Sequence, residues 1–395
     1  MAVESLDQFA IEKLSYLAER GLQRAVIDSH RTDAVHIQRN GRALISFCCN
    51  DYLGLTHHPA VKRAAVNAIS KYGTGAGASR LITGNHELYS ELEAKLAAFK
   101  GTESACVFGS GYLANVGILP TLTGPGDLIV IDELGHASMH MGARASKANV
   151  EIFQHNDSDN LYQILKSRRV SMQRCLVVTE GIFSMDGDRA PLDRIAEVCG
   201  EHDAWLMVDD AHGFGVLGRG GGSKFEFDPI PNIPLEMGTL SKAAGGYGAF
   251  LCASTAVTDL MKNRARSLIY TTGLPPAVLA GAIAAISIIE KDRARVERPL
   301  QLAQDFCAKI GLKQPQSPIV PLIVGGGVEA LDVSAALENA GFLVTPIRPP
   351  TVPVGTSRLR FTFTAEHTAD QVMALADAVG CLVSTSAAKP QAAEV

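Results

Sequence analysis

Short, uninterrupted apolar runs recur through the middle of the chain, each followed by small or polar residues and then a helical pattern. They are Ala105-Cys106-Val107-Phe108, Leu128-Ile129-Val130-Ile131, Cys175-Leu176-Val177-Val178 and Trp205-Leu206-Met207-Val208. A strand with one wet face alternates apolar and polar residues; a run without alternation needs cover on both faces. Strands of this kind interleaved with helices imply βαβ units and a mostly parallel sheet. The fold class read from the sequence is therefore α/β. Ligands of such sheets lie beyond the carboxyl ends of the strands, so chemistry is expected just after each run.

The flanking regions have a different texture. Residues 7–26 carry a helical repeat of Phe9, Ile11, Leu14, Leu17 and Leu22, and residues 36–49 alternate like strands around a tight Asn40-Gly41 turn. Helices are expected at 60–72 and 87–99. The small residues Gly73 to Ser79 between them signal a close approach of backbone to a ligand or a partner subunit. Residues 274–289 are Ala-rich and end in charge, which suits a buried helix better than a membrane span. Past residue 290 a charged helix precedes Ile319-Val320-Pro321-Leu322-Ile323-Val324, a helix at about 330–339 and two further strands. The expected organisation is an N-terminal arm (1–50), a large ligand-binding domain (51–290), a smaller C-terminal α+β domain (291–383) and a disordered tail (384–395).

Composition narrows the function. Over 395 residues, 47% are hydrophobic and 19% charged, with a net charge of −5, so no basic field exists to attract nucleic acid or anionic lipid. The start of the chain, Met1-Ala2-Val3-Glu4-Ser5-Leu6-Asp7, lacks the basic-then-apolar pattern of a leader. The eight cysteines never fall in a C-x-x-C pair. Free thiols in a reducing compartment, the cytoplasm, are expected, with no zinc site.

The strand ends supply the chemistry. After the first run comes Gly109-Ser110-Gly111-Tyr112, a glycine loop entering a helix whose N–H groups can hold a phosphate. After the second comes His136, a structural residue or an imidazole that stacks on a flat ring. The third leads to Glu180 and Ser184, in a polar turn or aimed into a site. The fourth ends in Asp209-Asp210-Ala211-His212; a metal reading lacks further ligands, whereas a carboxylate held against a pyridinium nitrogen fits. Lys242 follows in Gly238-Thr239-Leu240-Ser241-Lys242-Ala243-Ala244-Gly245-Gly246-Tyr247-Gly248. Alone it reads as a surface lysine, but a crowded amine loses part of its preference for charge and becomes a nucleophile for an aldehyde. The neighbouring glycines are read as room for a cofactor and a moving lysine. Phosphate loop, His, Asp, His and Lys in this order are the working parts of a pyridoxal-phosphate (PLP) enzyme.

The stretches Asn50-Asp51-Tyr52-Leu53-Gly54-Leu55, Asp209-Asp210-Ala211-His212-Gly213, Thr239-Leu240-Ser241-Lys242 and Ile347-Arg348-Pro349-Pro350-Thr351-Val352-Pro353 resemble the α-oxoamine synthases. These are fold-type I PLP-dependent transferases, acyltransferases that condense an amino acid with an acyl thioester. The resemblance covers residues 8–380. It implies a Schiff base on Lys242, Asp209 at the pyridine nitrogen, His212 and Ser184 at the ring oxygen, and His136 over the ring. Gly111, Tyr112 and Thr239 would hold the phosphate, joined by Thr271 and Thr272 from the other subunit of a homodimer. Arg348 would take the amino-acid carboxylate, and Arg24, Asn50, His136 and Thr351 would also contact substrate. Val178-Thr179-Glu180-Gly181-Ile182-Phe183-Ser184-Met185-Asp186-Gly187-Asp188 is most similar to the members of the biotin pathway. Those join L-alanine to a pimeloyl thioester, carried by coenzyme A or by an acyl-carrier protein. Members that make aminolevulinate, acylate glycine or use serine share the Lys, Asp and His set and stay open as alternatives. Two departures, Phe214 and Thr271-Thr272-Gly273, are expected to touch the substrate pocket.

Overall fold

A computed structural model describes residues 5–387. Its N-terminal strands are β1 (Ser29–Arg31), β2 (His36–Arg39) and β3 (Arg42–Ser46). The β2–β3 turn sits at Asn40-Gly41, both at positive φ (49° and 73°), as the hairpin reading requires. The central strands are β4 (Ser104–Phe108), β5 (Leu128–Asp132), β6 (Asn149–Phe153), β7 (Cys175–Glu180), β8 (Trp205–Asp209), β9 (Leu235–Thr239) and β10 (Ala249–Ala253). The C-terminal ones are β11 (Ile319–Gly325), β12 (Phe342–Leu343), β13 (Thr345–Ile347) and β14 (Ser357–Thr362).

The seven-stranded sheet has the order β4-β10-β9-β8-β7-β5-β6. Strands β6, β5, β7, β8 and β9 run parallel, and β10 is antiparallel to both β9 and β4. Strands β5, β7, β9 and β10 are buried at every position. The two faces of the sheet feed separate apolar clusters: Leu128, Val130, Val177 and Leu206 on one side, Ile129, Ile131, Leu176 and Met207 on the other. Alternate residues of one strand therefore enter two cores, which is why the runs show no apolar–polar alternation. The helix Pro276–Lys291 buries Leu279, Ala282, Ala285, Ile286 and Ile289, as expected of a core helix. Among the described residues no helix is long and apolar enough to cross a membrane.

Three local expectations need correction. The first helix spans Leu6–Glu19 and buries nothing: Phe9, Ile11, Leu14 and Leu17 are all exposed. Its apolar repeat is real, but none of the described residues covers it. The hairpin is joined to the C-terminal region, because β3 pairs in parallel with β12 and Phe47 packs among Phe342, Phe361 and Phe363. His367 stacks flat on Phe47 (4.0 Å, 5°) and donates from Nε2 to the Ser46 carbonyl, closing that joint. Finally, the C-terminal helix Ala369–Ala387 includes residues 384–387, read from the sequence as tail; 388–395 lie outside the described residues.

The glycines after Lys242 serve packing. Gly245 has φ +64°, and a Cβ there would lie 2.4 Å from the Thr56 backbone nitrogen. Gly248 has φ +112° and packs against Leu274 and the Phe108 carbonyl. The lysine loop thus lies directly on the Asn50–Leu55 segment. Gly245→Ala combines a strained φ with a backbone clash and is expected to destabilise by about 2 kcal/mol or more. Urea unfolding of the two proteins checks this; a loss below about 0.5 kcal/mol would refute the contact.

Candidate active site

Two adjoining cavities open at the carboxyl ends of the parallel strands. One, of about 250 Å³, is lined by Ser110, Gly111, Tyr112, His136, Ser138, Glu180, Asp209, Ala211, His212, Met237, Thr239, Ser241 and Lys242. The other, of about 630 Å³, shares His136, His212 and Lys242 with it and adds Arg24, Asn50, His140, Ser184, Thr351 and Arg360. Lys242 stands where they meet.

In the smaller cavity Asp209 ends β8 and is buried. Its Oδ2 accepts from Asn115 Nδ2 (2.9 Å) and its Oδ1 from the Ala211 backbone N–H (3.0 Å), which fixes the carboxylate plane. Asn115 also donates to Ser138 (2.8 Å), whose hydroxyl is 2.7 Å from His136 Nδ1. Carboxylate and imidazole are therefore set by one buried amide. Glu180 lies beside Asp209 in register on β7. Burial, then the Asp209 charge, holds its carboxyl well above the usual range, and its Oε1 has no protein partner. At the opposite end, Ser110 caps the helix Gly111–Leu122, accepting from the Leu113 N–H (3.2 Å). Thr239 is held by the Gly248 carbonyl (2.9 Å) and Ser241 (2.7 Å). Free N–H groups at a helix start and two hydroxyls make an anion cradle without a cation.

The lysine is wired to the second cavity. Lys242 Nζ lies 2.8 Å from His212 Nε2, and His212 Nδ1 lies 2.7 Å from the Tyr52 hydroxyl. A lysine donating to Nε2 places the imidazole proton on Nδ1, which donates to Tyr52; Tyr52 in turn donates to Asn50 Oδ1 (3.4 Å). Burial drives the His212 pKa well down, with Lys242 and Arg360 adding to the effect, so the ring is neutral. Burial likewise lowers the Lys242 ammonium to about 8 against the opposing pull of Asp209 and Glu180. Desolvation raises the Tyr52 phenol to about 12, so it stays a donor.

Arg360 closes this wall from β14. Its Nε donates to the Ser184 carbonyl (2.5 Å), Nη1 to Asn50 Oδ1 (3.1 Å) and Nη2 to Tyr52 (3.5 Å). Sequence reading missed it. The available signal was a cation inside the apolar alternation Leu359-Arg360-Phe361, where a buried charge demands partners.

The sequence candidates thus separate into groups. Gly111, Tyr112, His136, Asp209, His212, Thr239 and Lys242 surround the smaller cavity, and Arg24, Asn50, Ser184 and Thr351 line the larger. Arg348 lines neither; its guanidinium donates to the Gly21 carbonyl. Thr271 and Thr272 also line neither, and Thr272 bridges to Ser79 at the surface. Phe214 is a core residue, edge-on to Phe250 (5.0 Å) and Phe99 (6.1 Å), so this departure does not touch the pocket.

A sequence profile of the family described as aminotransferase class I and II matches residues 42–379. An 8-amino-7-oxononanoate synthase of Beijerinckia indica subsp. indica is 56% identical over 385 residues, 98% of this chain and 100% of that one. The chain belongs to the aminotransferase class I and II family. Solved structures of similar shape include a serine palmitoyltransferase variant from S. paucimobilis with a bound PLP–myriocin aldimine. It has a TM-score of 0.91 and 30% identity and covers 98% of this chain and 100% of its own. An 8-amino-7-oxononanoate synthase from Francisella tularensis has a TM-score of 0.74 and 29% identity, covering 87% of this chain and 99% of its own. The fold is the fold-type I arrangement expected from the sequence, and in this aminotransferase-family site the lysine sits between two cavities.

The lowered ammonium predicts a titration. In cofactor-free protein, the reaction of Lys242 with a small aldehyde should rise with pH and level off above about 8. A rate still climbing tenfold per unit toward the free-lysine value of about 10.4 would contradict the buried setting.

Proposed function

We propose that the chain condenses L-alanine with a pimeloyl thioester, releasing CO2 and the free thiol carrier and forming 8-amino-7-oxononanoate, a step of biotin synthesis. The observation that carries this reading is Lys242 at the junction of an anion-cradling, carboxylate-floored cavity and a larger one lined by Arg360, Asn50 and Ser184. The 56% identity to a relative of that name supports the choice within the family.

The residues fit PLP: Gly111, Tyr112 and Thr239 would hold its phosphate, His136 would cover its ring, Asp209 would pair with its nitrogen, and His212 and Ser184 would serve its ring oxygen. When bound, the protonated ring draws electrons from the α carbon of the amino acid. Asp209, oriented by Asn115 and Ala211, keeps that nitrogen protonated. Arg360, with Asn50, takes the alanine carboxylate, because its guanidinium lines the larger cavity beside Lys242, which Arg348 does not. Lys242 Nζ, whose ammonium pKa is lowered by burial to about 8, removes the α proton as the free amine. The α carbon then bonds to the thioester carbonyl carbon as the thiolate leaves, with His136 polarising that carbonyl. The carboxylate departs as CO2, and Lys242 returns a proton to the α carbon. Arg24, bonded to Thr351 (3.4 Å), lies on the thioester side. The carrier is coenzyme A or an acyl-carrier protein.

Two copies share their sites in this proposal. Thr271 and Thr272, outside their own cavities, reach the phosphate of a partner copy, and the exposed Leu81, Ile82 and Tyr270 support such an interface. The buried free thiols of Cys106, Cys175, Cys199, Cys252 and Cys307 support a cytoplasmic setting.

Lys242→Ala should abolish the visible absorption of lysine-bound PLP and all turnover; retained absorption would overturn the assignment. Arg360→Ala should raise KM for alanine about a hundredfold, the cost of losing a charge-assisted pair, and Arg348→Ala less than about tenfold. Steady-state assays with alanine, glycine and serine, each with pimeloyl and shorter thioesters, check the substrate. Turnover confined to glycine or serine would assign the chain to another α-oxoamine synthase activity.

A further inference from the structure

Outside the two cavities, one imidazole holds together the loops that form their walls. His155 follows the edge strand β6, far in sequence from the residues already assigned. Its Nδ1 is 2.9 Å from Oδ1 of Asp132, the buried last residue of β5, and its Nε2 is 2.8 Å from Oδ2 of Asp188, in the loop after β7. A neutral imidazole has one donor and one acceptor nitrogen, so a ring with an acceptor-only carboxylate at each nitrogen satisfies both only as an imidazolium. Phe183 meets the ring edge-on (4.3 Å, 89°). Asn156, at φ 57°, repeats the bridge: its backbone N–H donates to Asp132 Oδ2 (2.9 Å) and its Nδ2 to Asp188 Oδ2 (2.8 Å).

Other charges nearby leave this pairing intact. Glu133 accepts from the His155 backbone N–H (3.4 Å), and the Arg189 guanidinium points away to Glu226 (2.8 Å) and the Gln316 carbonyl (2.6 Å). Two hydrogen-bonded carboxylates raise the imidazolium pKa to about 10, outweighing partial burial. Among the described residues no cluster of His, Cys, Asp and Glu is arranged to hold a metal ion, in keeping with both ring nitrogens already being engaged.

What the clamp joins matters for the reaction. The Asp132 loop carries Leu134, Gly135 and His136; the Asp188 loop carries Ser184 and Met185. Both loops wall the larger cavity and a contiguous one of about 590 Å³ bordered by Pro349, Pro350 and Val352. We infer that His155 is a positioning residue: an imidazolium strut between Asp132 and Asp188 that sets the spacing of the two loops between which the acyl thioester enters. From the other side Arg358 pairs with Asp186 and Arg360 holds the Ser184 carbonyl, so the Ser184 loop is fixed at both flanks. A folded pKa above the unfolded value means the strut contributes fully below about 6.5 and is lost only as pH rises through about 10.

The inference rests on the thioester reading for its kinetic arm only. By imidazole NMR of the holoenzyme, with the His155 signal assigned from its absence in His155→Gln, both ring N–H groups should persist from pH 6 to about 9. A ring that turns neutral near the free value of about 6.5 overturns the strut whatever the substrate is. In His155→Gln, and independently in Asp188→Asn, KM for the thioester should rise about tenfold to a hundredfold, the order expected of a displacement near 1 Å. PLP affinity and KM for alanine, which also depend on Lys242, Asp209 and Arg360 away from the strut, should change less than KM for the thioester. Loss of thermal stability with unchanged kinetic constants, or an equal fall in kcat with every KM unchanged, would reduce His155 to an ordinary structural residue. If alanine condensation itself is absent from the wild type, the reaction assignment fails while the NMR result still decides the strut.

Discussion

Removing charge from water is expensive unless partners replace the solvent, and that constraint organises this molecule around the carboxyl end of β8. Asp209 is tolerated there because Asn115 and the Ala211 N–H satisfy it and a buried amine stands nearby. The same desolvation that would eject an unpaired charge keeps Glu180 protonated, His212 neutral and Lys242 part-way to a free amine. One physical effect thus gives neighbouring groups different protonation states at one pH. The sheet supplies the low dielectric by being covered on both faces.

The elements that follow from local rules were legible in the sequence. The unalternated runs of β5, β7 and β8 announced a doubly covered sheet, and Asn40-Gly41 announced a hairpin. Residues whose role depends on long-range partners were not. Arg360 sits in a strand and acquires meaning only when β14 brings it to Asn50, Tyr52 and Ser184. Arg348, in a recognisable Pro-rich motif, drew the assignment that Arg360's geometry fits better. The glycines beside Lys242 looked like space for a ligand because glycine loops often are; Gly245 instead fills a backbone contact with Thr56 that no sequence pattern marks. Strand β6 was overlooked for a related reason. It lies at the sheet edge with one covered residue, so it lacks the apolar density of its neighbours.

The helix Leu6–Glu19 carries the same lesson in reverse. Its apolar repeat marks a helical face only as far as Leu17, since Leu22 lies beyond the end of the helix, and the periodicity of a sequence says which residues want cover and nothing about who provides it. The C-terminal region answers the same question locally. There Phe47, His367 and the phenylalanines of β14 and its extension bury one another, so the segment after the N-terminal hairpin and the C-terminal region fold as neighbours.

The row Lys242–His212–Tyr52–Asn50–Arg360 has a consequence for how tightly a ligand can be held. Each of these side chains already has a partner when the chain stands alone. Their rotamers are therefore ordered by folding, and the entropy of fixing them is charged against stability and not against ligand affinity. A ligand arriving here exchanges hydrogen bonds; it does not have to create order. The enthalpy gained per contact should be modest, and discrimination should come from how well an incoming group replaces the partner it displaces.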